Sequence, residues 1–282
     1  MLQIDSTKTL LNGIEMPRFG LGVYKMTDSK QAVEAMTTAL RAGYRAIDTA
    51  SFYNNEREVG EAIRESGMNR QDLFITSKVW NNDQGYDETL RAFEKSLQLM
   101  EVDYLDLYLT HWPKPDTYQD TYRAIERLYD EKLIRATGVS NHEQHHLETL
   151  FAKANVKPMV NQIEHHPYLT QVALREFCQS ENMAVTAWSP LGRGRALEDP
   201  VIVKLAEKYR KTPAQIIIRW HLQNDTVVIP KSVTPSRIES NARVFDFELE
   251  QLDMHMIDTL NRDERTGNHP DTFPYDDPRY NR

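Results

Sequence analysis

The sequence predicts an α/β fold of one kind, a closed (β/α)8 (TIM) barrel, and three observations carry that prediction. Short β-branched or aromatic runs alternate with helical patterns along the whole chain, as repeated βα units and a parallel sheet require. Eight such runs can be counted with no Gly/Ser-rich linker between them, so residues 1–282 read as one barrel domain. The open doubly wound sheet, the competing arrangement, normally brings a G-x-G-x-x-G turn. Both partial matches fail at the third glycine: Gly20-Leu21-Gly22 is followed by Lys25, and Gly192-Arg193-Gly194 by Leu197.

Each element has its own signal. In the N-terminal KTLLNGIEMP, Asn12-Gly13 is a tight-turn signature and predicts a β-hairpin plugging the barrel bottom. The first strand is read at 18–22. Apolar residues Ala32, Val33, Met36, Ala39 and Leu40 then recur with a 3.6-residue period, with Asp28 or Ser29 as cap and Gly43 as stop. Strands follow at 44–48 and 73–78. A second helical face, Leu90, Phe93, Leu97 and Met100, leads to a strand at 104–111, and a third, Ala124, Ile125, Leu128 and Tyr129, leads to one at 134–140. The remaining strands are 158–162, 184–188 and 226–230. Beyond the eight units come an extra helix around 252–260 and a tail rich in Pro and Asp over 268–282, expected as a surface loop.

Composition narrows the function. With 40% hydrophobic and 27% charged residues the chain can build a sizeable core. A net charge of -8 argues against bulk binding to nucleic acid or anionic membranes, so any anion site must be a small local basic cluster. Cys178 is the only cysteine, which excludes an internal disulfide and a multi-cysteine metal cage. The N-terminus lacks a basic, apolar leader, and nothing approaches the roughly 20 apolar residues of a membrane span, so a cytoplasmic protein is expected.

Barrel enzymes do their chemistry at the carboxyl ends of the strands, and there the apolar runs give way to polar residues. Asp48, Lys78 and His111 end the second, third and fourth strands, which lie about 4.8 Å apart, and a short loop brings in Tyr53. A carboxylate leaving water costs several kcal/mol unless paired, and Lys78 is the adjacent partner. As a lone pair this reads as a structural ion bridge. The combination reads as chemistry: Lys78 would make the phenol of Tyr53, ordinarily near pKa 10, more acidic, and Asp48 would orient that lysine. His111 would donate to a substrate oxygen or share the proton, and the set would protonate an alkoxide formed when a carbonyl accepts hydride.

The segments GYRAIDTASFYNNEREVGEAI, ITSKVW, YLDLYLTHWP, IRATGVSN, NQIEHHPY, AWSPLGRG and IPKSVTPSRI extend the observation over nearly the whole chain. In order and spacing they resemble the aldo/keto reductase family, close to bacterial enzymes acting on 2,5-diketo-gluconate, glyoxals and other aldehydes. The resemblance implies Asp48, Tyr53, Lys78 and His111 as the catalytic set, NADPH as cofactor, a small carbonyl compound as substrate and a monomer in solution. It also implies that Ser140, Asn141 and Gln162 hold the nicotinamide carboxamide, although Ser140 or Asn141 could instead cap the helix beginning near Glu143. Trp188 would offer the stacking face where the family more often has tyrosine. Ser189, Leu191 and Arg193 fall in its pyrophosphate loop. IPKSVTPSR opens a helix at Pro235, where backbone amides, Lys231, Ser232 and Arg237 favour phosphate. By resemblance these residues face an adenosine 2′-phosphate, with Val233 and Asn241 completing the cofactor set. Ser240 departs from the family, which commonly has a glutamate against adenine; Glu239 is one step away. Tyr24, Trp80 and Trp112, with His111, stand where the family builds a substrate wall.

Two other classes compete. His142, His145 and His146 at helical spacing, with His165 and His166, raise a metal-dependent barrel hydrolase. Such sites draw ligands from several strand ends, and the first strand ends without a histidine pair, so no metal is expected. A non-catalytic NADP-binding sensor would keep the barrel, but the complete four-residue set argues against it.

Overall fold

The computed structural model describes residues 2–280; the last two residues of the expected tail, Asn281 and Arg282, lie outside the described residues. The N-terminal hairpin forms from β1 (Thr7–Thr9) and β2 (Glu15–Pro17), paired antiparallel with Thr9 opposite Glu15. Its turn needs Gly13, whose φ of 84° an L side chain resists. Leu10 and Met16 are buried against Ala46, Phe74 and Val227 of the barrel interior, so the hairpin does plug the bottom.

Eight parallel strands follow: β3 (Gly20–Gly22), β4 (Ala46–Asp48), β5 (Phe74–Val79), β6 (Leu105–Thr110), β7 (Ile134–Ser140), β8 (Val160–Glu164), β9 (Ala184–Trp188) and β10 (Val227–Val228). Each pairs with its sequence neighbour, and a bridge between Phe19 and Val228 brings the first and last together. The seam is tight because β3 carries glycine: a Cβ on Gly22 would stand 2.8 Å from the Ile229 carbonyl oxygen. β7 and β9 coincide with the spans read from sequence. The last strand is shorter than 226–230, because Pro230 cannot donate to a ladder and the chain turns away into the cleft.

The helices are α1 (Ser29–Arg41), α2 (Glu56–Ser66), α3 (Tyr86–Met100), α4 (Tyr118–Asp130), α5 (Gln144–Phe151), α6 (Val172–Ser180), α7 (Pro200–Tyr209), α8 (Pro213–Gln223), α9 (Pro235–Asn241) and α10 (Gln251–Asp258). Asp28 caps α1, its carboxylate accepting the Gln31 amide at 2.8 Å, and the apolar stripe beginning at Ala32 is buried against the strands. α10 is the extra helix. Among the described residues no helix is long and apolar enough to cross a membrane.

The tail is a surface loop as expected, but an anchored one: Phe273 is buried against Trp80 and Trp112, and Trp80 donates its indole N–H to the Tyr280 carbonyl at 2.9 Å. Aromatic residues in a Pro-rich segment have no period to reveal them, and here they roof the barrel mouth.

Candidate active site

β4, β5 and β6 end side by side, and their terminal side chains meet. Lys78 is wholly buried, its ammonium 2.5 Å from an Asp48 carboxylate oxygen and 2.8 Å from the Thr49 carbonyl. The other Asp48 oxygen accepts from the Gln162 amide at 2.7 Å. Both oxygens of the buried carboxylate are therefore paired, which makes its burial tolerable. A 3-10 turn, Ser51–Tyr53, carries Tyr53 over this pair, with the Lys78 ammonium 5.1 Å from the phenol ring centre. His111 lies edge-on to the ring, centroids 5.8 Å apart.

The electrostatics correct one expectation. Burial, reinforced by the Asp48 carboxylate, pushes the Tyr53 phenol well above its ordinary value instead of below it. The Lys78 ammonium, itself offset by Asp48, does not overcome that burial. Tyr53 is accordingly a protonated group at neutral pH. Burial pulls the Lys78 ammonium down while Asp48 pulls it up, and the net direction is downward. Burial and then Lys78 drive His111 well below its ordinary value, so its imidazole is neutral.

A cleft of about 950 Å3 opens above these groups. Tyr53, Asp48 and His111 line it together with Tyr24, Trp80 and Trp112, while Lys78 sits behind the wall. All twelve residues expected around the cofactor also line it: Ser140, Asn141, Gln162, Trp188, Ser189, Leu191, Arg193, Lys231, Ser232, Val233, Arg237 and Asn241. Within the chain these residues are also tied to one another. Ser140 gives its hydroxyl to the Gln162 carbonyl at 2.8 Å, and the cap of α5 is Glu143, so neither Ser140 nor Asn141 caps it. Asn141, in a left-handed conformation at φ 61°, donates to the His111 carbonyl at 3.0 Å and accepts the Trp188 indole N–H at 2.8 Å. Gln162 orients Asp48, a role the sequence did not suggest.

The far end of the cleft is cationic. Among the described residues no carboxylate pairs with Lys231, Arg193 or Arg237. Partial burial and then the neighbouring Lys25 charge draw the Lys231 ammonium below its ordinary value, as happens where cations crowd without an anion. The cleft thus fits a phosphate-bearing dinucleotide, with an indole wall beside the phenol and unpaired cations at the opposite end. Ser240 lines this end, whereas Glu239 lines a separate groove with Arg41 and Phe245 and does not replace the missing glutamate.

Several lining residues escaped the sequence reading. Thr212, Pro213 and Ala214 at the start of α8, and Asn268, Phe273 and Tyr280 of the tail, carry no strand-end signal. Glu164, the last residue of β8 and two residues beyond Gln162, is fully buried and does not line the cleft.

The three neighbouring histidines do not form one ligand set. His142 precedes α5 and is buried, its Nδ1 2.9 Å from the Ser140 carbonyl, so the three do not share a helical face. Among the described residues one group, His145, His146 and Asp271, has ligand atoms within 4.8 Å of one another. His146 Nδ1 accepts the Glu143 amide at 3.2 Å, which places the neutral ring's proton on the nitrogen facing Asp271 and suits a hydrogen bond better than a cation. His165 and His221 are buried neighbours, ring centroids 4.6 Å apart.

A barrel whose strand ends present this aspartate, tyrosine, lysine and histidine beside a dinucleotide-sized cleft defines a class, and residues 18–262 match the aldo/keto reductase family, to which the chain belongs. The family uses NADP(H), and the chain is an NADP-dependent oxidoreductase. It is 55% identical to glyoxal reductase from Bacillus subtilis (strain 168) over 268 residues, which covers 95% of this chain and 97% of that one. Among solved structures it is similar to MGS-M4, an aldo-keto reductase from a Medee basin deep-sea metagenome library. The TM-score is 0.93 at 44% identity, covering 95% of this chain and 100% of that chain. It is also similar to an aspartate-to-alanine variant of Gox0644 crystallised in complex with NADPH, with TM-score 0.91 at 44% identity, covering 95% of this chain and 98% of that chain.

Proposed function

We propose that the protein reduces small aldehydes and ketones with NADPH, Tyr53 donating the proton, and that glyoxals and keto-sugars such as 2,5-diketo-gluconate are its substrate class. The observation that carries the reading is the convergence of Tyr53, His111 and the paired Asp48 and Lys78 on one wall of the cleft. When bound, the reduced nicotinamide supplies hydride to the carbonyl carbon. The carbonyl oxygen lies against Tyr53 and the neutral His111, whose N–H polarises it. As the oxygen becomes an alkoxide, a far stronger base than any phenolate, even a phenol of raised pKa can give up its proton. The phenolate so formed faces the Lys78 ammonium, held by Asp48 and Gln162.

Lys231 and Arg237 supply charge for the 2′-phosphate, a guanidinium being suited to bidentate recognition. Ser189, Leu191 and Arg193 border the pyrophosphate, and Ser140, Asn141, Gln162 and Trp188 border the nicotinamide. Tyr24, Trp80 and Trp112 wall the carbonyl substrate. We read the enzyme as a cytoplasmic monomer acting on small molecules, without a metal. The B. subtilis relative's name supports the glyoxal assignment. A panel of glyoxals, aromatic aldehydes and keto-sugars, each followed by loss of reduced-nicotinamide absorbance, tests the reading. Turnover of at least one class with NADPH is expected, and no turnover of any would overturn it.

A further inference from the structure

Glu164 ends β8 with its carboxylate fully buried under the strap formed by residues 266–280. Its Oε1 accepts the Thr266 amide at 2.6 Å and the Thr266 hydroxyl at 2.5 Å, and lies 3.0 Å from His166 Nε2. Its Oε2 accepts the Gly267 amide at 3.1 Å. Burial opposes the charge, but the bonds from His166 and Thr266 outweigh it and hold the carboxyl below its ordinary value. Apolar packing would serve stability as well as a buried charge. What the carboxylate adds is direction, because three of its four contacts lie on the first two residues of the strap.

Those residues reach the cofactor wall. A Cβ on Gly267 would stand 2.6 Å from Trp188 Cη2, so the bare glycine and the large indole are matched. Trp188 in turn donates to Asn141. At the strap's other end, Phe273 packs on Trp112 with ring centroids 4.5 Å apart, and the Tyr280 carbonyl accepts the Trp80 indole.

We propose that Glu164 is a positioning residue for the carbonyl substrate: through Thr266 and Gly267 it pins the strap that roofs the cleft and seats Trp188 against Asn141. The proposal rests on the reductase reading, since it assigns the roof of that same cleft. Glu164→Gln is the sharp variant. It keeps an oxygen for Thr266 and His166 but turns an amide N–H toward the Gly267 N–H, leaving a buried donor unpaired.

The test measures KM and kcat for an aldehyde, NADPH affinity by fluorescence titration, and tryptic nicking after Arg265 and Arg279 by mass spectrometry. In Glu164→Gln the aldehyde KM should rise about tenfold, the scale of one buried hydrogen-bond partner lost. kcat should stay within about twofold, NADPH affinity, reached only through Trp188, should weaken by less than the aldehyde KM rises, and strap nicking should accelerate, whereas Glu164→Asp, which keeps the charge, should recover part of the KM. An unchanged KM with unchanged nicking overturns the proposal, as does a fall in kcat at constant KM. A second arm guards against misfolding: Gly267→Ala should raise the aldehyde KM beside Trp188 and do so less when Trp188→Tyr makes room. Equal effects in both backgrounds would count against the matched pair and the proposal. If the wild-type protein reduces no carbonyl, the reductase reading fails, while the nicking comparison still tests the latch.

Discussion

The two ends of the cleft treat charge in opposite ways. At the tetrad end every charge is buried and already paired: Lys78 with Asp48, and Asp48 with Gln162. At the other end Lys231, Arg193 and Arg237 have no carboxylate partner among the described residues. A group that must hold a geometry while a proton moves gains from preorganised partners, because nothing reorganises during the reaction. A group that must recognise a diffusing anion gains from being unpaired, because an internal partner would have to be displaced first. The difference separates the part of the cleft built to react from the part built to bind.

The largest effect should come from breaking the paired end. Lys78→Met leaves the Asp48 carboxylate buried with Gln162 alone, a loss of about 3–5 kcal/mol in stability. Turnover should fall by about 10³-fold or more, since the phenolate loses its counter-charge. Chemical denaturation together with steady-state rates would measure both. A variant as stable and as active as the parent would erase the contrast between the two ends.

A smaller effect is expected from the unpaired end. Arg237→Ala should weaken NADPH binding about tenfold while changing NADH little if, as proposed, the exposed guanidinium meets only the extra phosphate. Fluorescence titration with both cofactors decides it, and equal losses would mean that Arg237 does not read the phosphate.

The most gradual effect concerns two buried histidines that do not line the cleft, His142 and His221, which burial holds down to about 3. Their unfolded values lie near 6.5, so below that pH the unfolded chain takes up protons that the folded one refuses. Stability contributed by these neutral rings is whole above about pH 6.5 and declines as pH falls toward about 3, by about 1.4 kcal/mol per pH unit for each. Urea midpoints should fall steadily across that window; midpoints level from pH 6.5 to 4 would show that these rings are not held neutral.

Much of this arrangement was legible in the sequence because strand ends are local features. β7 and β9 coincide with their apolar runs, and Asp48, Lys78 and His111 could be placed together by strand spacing alone. What could not be read depends on long-range approach. Gln162 reaches Asp48 across the barrel, Phe273 folds back onto Trp112, and Glu239 turns into a different groove from Ser240. The direction of the Tyr53 shift belongs here too, because desolvation depends on surroundings that only the packed tail and loops supply.

The central claim is that Tyr53 gives the proton and does little to hold the cofactor. Tyr53→Phe removes one oxygen, so one preparation can be titrated with NADPH and then assayed for aldehyde reduction. NADPH should bind within about threefold of the parent while turnover falls by about 10²-fold or more, the scale of a lost general acid. Turnover retained at the parental rate, with the cofactor bound, would contradict the account.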